Sequence, residues 1–273
     1  QSALIDYILY GPQFTDVSQG RSPNGADTLA FFAMSTPGAP NHAPPGPPGG
    51  QVVINEVLAR NIPGPNAITN IDGGTPEWIE LYNPTAGSIA LADMSLSDSA
   101  ADPRKWVFPT GVAIPAGGYL IVLCDPSQPA SSNAVPRLNT GFGIKASGGE
   151  IFLFDKGLGG SQLDGIAYGV QAVSYSIGRV PSGSTNWVLN RPTPTGLNAA
   201  AALGDCQQLK INEWMANPSA GADWFEIYNP NSQPVALSGL YLTDNLSTPA
   251  SRQAFKIAPL SFIGTGPYGF AQF

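Results

Sequence analysis

Apolar and polar residues alternate along this chain in short runs, separated by turn residues such as Gly, Pro, Asn and Asp. In Glu77–Tyr82, Ile79 and Leu81 fall on one side and Trp78, Glu80 and Tyr82 on the other, the two-residue period of a strand. The same pattern predicts strands over Gln51–Leu58, Ser88–Leu91, Met94–Ser97, Lys105–Phe108, Val112–Ile114, Tyr119–Cys124, Glu150–Phe154 and Gln162–Tyr168, with a weaker one near Trp187. Pro109-Thr110-Gly111 and Pro115-Ala116-Gly117-Gly118 read as turns. No stretch carries a convincing helical period. Many short strands broken by turns predict an all-β chain built as an antiparallel sandwich.

The pattern is also written more than once. Ile54-Asn55-Glu56 returns as Ile211-Asn212-Glu213, and Trp78-Ile79-Glu80-Leu81-Tyr82-Asn83-Pro84 as Trp224-Phe225-Glu226-Ile227-Tyr228-Asn229-Pro230. Asp6-x-Ile8-x-Tyr10-Gly11-x-Gln13 reappears as Asp164-x-Ile166-x-Tyr168-Gly169-x-Gln171. Asn55 to Asn212 is 157 positions and Asp6 to Asp164 is 158, so one period governs the chain. A unit repeated at domain length points to a tandem array, an arrangement commoner in scaffolds and binders than in enzymes. The expected division is a C-terminal part of a preceding repeat at 1–41, a Pro/Gly linker at 42–51, a complete unit at 52–198, a softer linker at 199–208 and the N-terminal part of a third repeat at 209–273. The first linker is expected to be extended polyproline II, and Ala199–Asp205 to form a helical turn. Pro63–Pro76, largely missing from the third unit, reads as a surface loop.

A chain holding a repeat's tail and a repeat's head invites completion of one copy by another. Against this, the head stops near the equivalent of Cys124 and the tail begins near that of Gly159, leaving out the stretch containing Gly148–Asp155. Truncation of a longer chain is the expectation.

Composition narrows the function classes. With 12 Lys and Arg and a net charge of −7, there is no basic stripe for nucleic acid or anionic lipid. No apolar run reaches the ~20 residues of a membrane span. Charged residues make up only 11%, alongside 32 Gly and 27 Pro, a balance associated with secreted surface proteins. The two cysteines, Cys124 and Cys206, allow a disulfide in an oxidising compartment; the alternative is one buried and one linker thiol.

Candidate chemistry is sparse. The single histidine, His42, lies in the Pro/Gly linker, a poor place for a catalytic base. One His and two unpatterned Cys give no zinc spacing. Carboxylates recur: Glu56 and Glu80 as Glu213 and Glu226, and Asp98 as Asp244. They could supply oxygens to Ca²⁺ or act as a glycosidase pair. The reading that weighs most is structural, with carboxylates tying strand ends and loops, because a fold-forming role must be filled in every copy. Trp78, Tyr82, Trp106, Trp187, Trp224 and Tyr228 could stack on sugars, but their places within strand motifs favour packing. Asn245-Leu246-Ser247 is a lone glycosylation sequon.

Taken in order, the pieces at 54–56, 78–84, 96–98, 105–109, 114–120, 148–155, 164–171, 176–183 and 193–198 resemble the bacterial lamin tail domain. The likeness covers nearly all of 52–198 and both flanking halves. It implies an immunoglobulin-like β-sandwich, used as an accessory module of large surface or secreted proteins, often beside spore-coat-H-like domains. No catalytic residue or cofactor belongs to its motif. Asn55, Trp78, Glu80, Tyr82, Asn83, Trp106, Asn212, Trp224, Glu226, Tyr228 and Asn229 are then a fold signature. The third unit departs at Gln253-Ala254-Phe255-Lys256 and Ile263-Gly264-Thr265-Gly266-Pro267-Tyr268. The expectation is a non-catalytic structural or adhesive module outside the cell, contacting other proteins or copies of itself. The alternative is a targeting or carbohydrate-binding appendage of a secreted enzyme, which would bring a glycan as partner.

Overall fold

The computed structural model describes residues 6, 8, 18–21, 24–26, 29–32, 37–38, 41, 51–64, 67–157, 160–248, 250 and 255–273. His42 and nearly all of the 42–51 linker lie outside the described residues. The strands in chain order begin with β1 (Ser18–Arg21) and β2 (Leu29–Phe32). The central region holds β3 (Val53–Leu58), β4 (Glu77–Tyr82), β5 (Ile89–Ala90), β6 (Ser95–Ser97), β7 (Trp106–Val107), β8 (Ala113–Ile114) and β9 (Tyr119–Cys124). It continues with β10 (Leu138–Asn139), β11 (Gly149–Phe154), β12 (Gln162–Tyr168), β13 (Ser176–Arg179), β14 (Trp187–Arg191) and β15 (Ala199–Ala200). The C-terminal segment adds β16 (Lys210–Met215), β17 (Trp224–Tyr228), β18 (Val235–Ala236), β19 (Tyr241–Leu242), β20 (Phe255–Lys256), β21 (Phe262–Ile263) and β22 (Phe270–Gln272).

Two compact units result: Gln1–Pro48 with Tyr241–Lys256, and Gly49–Leu240 with Ile257–Phe273. In the first, β1 pairs antiparallel with β2, and β19 pairs with β20. The second contains a β-sandwich. One sheet runs β10-β9-β4-β3-β13-β14-β15, the other β12-β11-β6-β7. Ile54, Val57, Ile79, Leu81 and Val122 from the first sheet meet Leu96, Trp106, Ile151 and Leu153 from the second in one buried core. Burying such side chains contributes about 1.5–3 kcal/mol each. Among the described residues of the sandwich, the one parallel pairing is β10 on β9.

The alternation in Glu77–Tyr82 works as the sequence implies. Ile79 and Leu81 enter the main core, while Trp78 packs on the opposite face with Leu58 and Leu123. Three strands had no clear apolar signal. Leu138–Asn139 is too short for one. Ser176–Arg179 is polar, and its partners are supplied by the fold. Ala199–Ala200 was expected to be linker, yet it pairs with β14, Asn190 opposite Ala200. The helical turn of this region falls later, as a 3₁₀ turn at Cys206–Gln208 capped by Asp205.

The repeated motifs have local physical reasons. In Ile54-Asn55-Glu56, Ile54 lies opposite Leu81 and Glu56 opposite Glu80, so Asn55 is the extra residue of a β-bulge. Ile211-Asn212-Glu213 makes the same bulge against Ile227 and Glu226. The Asn-Pro corner is a staple. Buried Asn83 donates through Nδ2 to the carbonyls of Gly87 (2.7 Å), Ile114 (2.9 Å) and Pro115 (3.0 Å). Asn229 does likewise to Gln233 (2.9 Å) and Gly264 (2.7 Å). The tyrosine beside each corner stacks across strands: Tyr82 on Tyr119 at 4.7 Å and Tyr228 on Phe270 at 4.9 Å.

Candidate functional site

The bulge at Asn55 lets both Asn55 and Glu56 reach one buried polar cluster. Asn55 Nδ2 donates to Glu80 Oε1 (3.1 Å) and to Asn198 Oδ1 (3.3 Å), and its Oδ1 accepts from Gly183 N–H (2.9 Å). Glu56 accepts from Ser176 Oγ at 2.5 Å, and from the N–H and hydroxyl of Thr193. The Thr195 N–H donates to Glu80 Oε2 at 2.6 Å. Asn198 Nδ2 closes the cluster on the carbonyls of Asn55 and Arg179, both at 2.9 Å. The two glutamates and Asn55 are fully buried.

Beside it, Arg179 and Asp164 clamp the two sheets. Asp164, from β12, accepts from the N–H of Ile54 in β3 at 2.8 Å. Arg179, from β13, donates through Nε to the Ile54 carbonyl (2.6 Å), through Nη1 to the Ser184 carbonyl (2.5 Å) and through Nη2 to both Asp164 oxygens (2.7 and 2.9 Å). Its guanidinium lies 4.7 Å from the Trp187 ring centre. All three guanidinium nitrogens donate, which is the geometry that selects Arg over Lys.

Electrostatics follow from burial. Desolvation raises the carboxyl of Glu80 from its ordinary 4.5 to about 7, against the opposing bonds from Thr195 and Asn55. Glu56 is raised for the same reason, offset in part by Ser176 and Thr193. A carboxyl near neutrality beside a second one resembles an acid/base pair. Here, however, each of the four oxygens already accepts from the protein and none reaches solvent. The arrangement binds loop 193–198 to strands β3 and β4.

The remaining candidates are scattered. Asp98 pairs with Lys105 Nζ at 2.6 Å. Glu226 accepts from Asn212 Nδ2 at 2.8 Å, repeating the Asn55–Glu80 bond, while Glu213 opposite it and Asp244 are exposed. Among the described residues no group of three or more His, Cys, Asp or Glu assembles. Trp78 and Trp106 are buried, Trp106 donating to the Ser131 carbonyl at 3.1 Å, so neither offers a ring face to a sugar. Trp187 and Trp224 are half-buried.

The disulfide weighed between Cys124 and Cys206 is not formed. Cys124 is sealed in the core on β9, Cys206 is exposed in the 3₁₀ turn, and both are free thiols. Burial also pushes the Cys124 thiol up, away from the reactive thiolate.

A second arrangement escaped the sequence reading. Tyr168-Gly169-x-Gln171 forms a joint to the C-terminal segment. The Gly169 N–H donates to the Pro259 carbonyl (2.9 Å), Phe262 N–H to the Val170 carbonyl (2.7 Å), and Gln171 Nε2 to the Leu260 carbonyl (2.7 Å). Phe262 inserts into the sandwich core. The chain between is tied too: Ala201 N–H bonds to Leu189 and Gly204 N–H to Pro234. The signal available was the recurrence of the Gly and Gln as Gly11 and Gln13, which nothing in the sequence linked to a neighbouring segment.

No curated protein and no solved structure matches the chain. Residues 45–170 match the family model described as Lamin Tail Domain, a non-catalytic immunoglobulin-like sandwich. The sandwich itself extends beyond that segment, since β13–β15 complete its larger sheet. The all-β sandwich and the matched segment agree: residues 45–170 of this chain are similar to the lamin tail domain.

Proposed function

We propose that this protein is an architectural module, in which lamin-tail units are coupled in series into a stiff connector of an extracellular or cell-surface assembly. The observation that carries the reading is the joint at Gly169–Gln171. A segment strung on a soft linker orients freely; one held by three hydrogen bonds and an inserted Phe262 keeps a fixed orientation on the sandwich it follows. Modules that serve as tethered targeting appendages have no use for that stiffness. Protein partners or copies of the chain are the expected neighbours.

Gly169→Val tests the joint. A Cβ built at Gly169 would stand 1.9 Å from Ser261 Oγ and 3.0 Å from Ala258 Cβ, both in the C-terminal segment. The joint should open, and because Phe262 leaves the sandwich core, the thermal midpoint should fall while unfolding stays cooperative. Small-angle X-ray scattering is expected to show a larger radius of gyration and a flexible profile. An unchanged scattering curve with an unchanged midpoint would remove the joint from the reading.

A further inference from the structure

Loop 193–198 is fastened to the sandwich by polar groups. Thr195 and Leu197 are exposed, Leu197 to 75%, and Asn198 is the one buried residue of the loop. None of its residues joins the apolar core. It is held by Thr193 on Glu56, by the Thr195 N–H on Glu80, and by Asn198, whose own N–H donates to Ser182 Oγ at 3.0 Å. The loop is also strained. Thr195 stands at φ 61°, in the left-handed region that a β-branched residue rarely adopts.

Beneath the loop the two glutamates face each other across β3 and β4, both fully buried. Among the described residues no salt bridge takes in either of them. The charged and titratable groups around them give no relief. Glu80 feels the charge of Glu56 from β3, and Tyr119 of β9 feels Glu80. Tyr82 follows two residues along β4. Arg179 of β13 has its guanidinium on Asp164, Ile54 and Ser184, and Arg191 at the end of β14 is exposed. The loop itself brings no titratable side chain.

We propose that loop 193–198 is a latch, closed over β3 and β4 in mildly acidic solution and opened by rising pH before the sandwich unfolds. Two ionised carboxyls in a dry site repel and call for water. Lifting the loop admits that water without exposing any of the core, and it releases the strain at Thr195. Burial raises Glu80 from its ordinary 4.5 to about 7 and raises Glu56 in the same direction. The closed form is therefore fully held below about 4.5 and is lost as pH rises through about 7. The open form bares two cross-strand carboxylates on the face of β4 opposite Ile79 and Leu81.

Amide hydrogen exchange of the full chain, read by NMR at pH 5.5 and pH 8.5 as protection factors, tests the latch. Protection at the N–H groups of Thr193, Thr195 and Asn198 should fall at least tenfold at the higher pH, while Ile151 and Leu153 in β11 keep theirs. Glu80→Gln, which keeps the shape and removes the charge, should hold the loop closed at both values. Thr195→Gly makes the test independently of that variant's folding: it removes the strain, leaves both carboxyls, and should move the fall to higher pH. Protection that does not change in the wild-type chain overturns the proposal. So does a loss shared equally by loop and β11, a loss that Glu80→Gln leaves intact, or a fall that Thr195→Gly leaves at the same pH.

Discussion

Replacing Arg179 by Ala is expected to destabilise the sandwich by about 3–5 kcal/mol, the cost of breaking a buried ion pair from one side. The side chain joins β12, β3 and the 181–184 turn at once. Its loss leaves Asp164 buried without its counter-charge, and leaves the carbonyls of Ile54 and Ser184 without these donors. Asp164 would keep only the N–H groups of Ile54 and Gly165. Against a typical total of about 5–15 kcal/mol, this is a large fraction of the fold's stability. Arg179→Lys should rescue little, because a point charge cannot serve three directions. The double substitution Asp164→Leu with Arg179→Met should cost less than Arg179→Ala alone, since no charge is stranded. Urea denaturation of the four chains measures all of this; a loss below about 1 kcal/mol for Arg179→Ala would mean the clamp is ornamental.

Stability should fall as pH rises from about 4.5 to 7, with Glu80 the main cause. Its carboxyl is raised to about 7 in the folded state from 4.5. A group raised on folding contributes stability that is fully present below its unfolded value and is lost as pH passes its folded value. The shift corresponds to about 3 kcal/mol, present near pH 4 and gone by pH 8. Glu56 is raised as well and acts in the same sense. Unfolding free energies at pH 5 and pH 8 give the slope, and carbon-detected NMR of the Glu80 carboxyl gives its midpoint. Glu80→Gln should remove most of the slope and leave the part due to Glu56. A midpoint near 4.5, or a slope that survives Glu80→Gln, would contradict the cause.

The sequence made the strands legible wherever one face was buried and the other polar. Glu77–Tyr82 and Tyr119–Cys124 match the structure to the residue. Ser176–Arg179 and Ala199–Ala200 were not legible as strands, because their pairing is decided by β3 and β14, far away in sequence. The recurrence of Asn55, Glu80, Asn83 and Tyr82 marked them as a group, and the structure supplies the reasons: a bulge, a buried carboxylate, a corner staple and a cross-strand stack. What recurrence could not reveal is direction. Asp164 and Arg179 recur as Asp6 and Arg21, yet that they clamp one sheet to the other depends on β12 and β13 lying in different sheets. The joint at Gly169–Gln171 was hidden for the same reason, since its partners are backbone carbonyls with no side-chain signature.

The stiffness of that joint is the point on which the functional reading turns, and it is open to one distance measurement. Spin labels at Glu150→Cys on β11 and Gln272→Cys on β22 occupy exposed strand positions on either side of it. Cys206→Ser removes the exposed native thiol, and Cys124 is too deeply buried to label. Double electron–electron resonance, with labelled chain diluted in unlabelled, should give a single narrow distance distribution that broadens when Gly169→Val is added. A distribution already broad without Gly169→Val would mean that the units turn freely, and would contradict an architectural role.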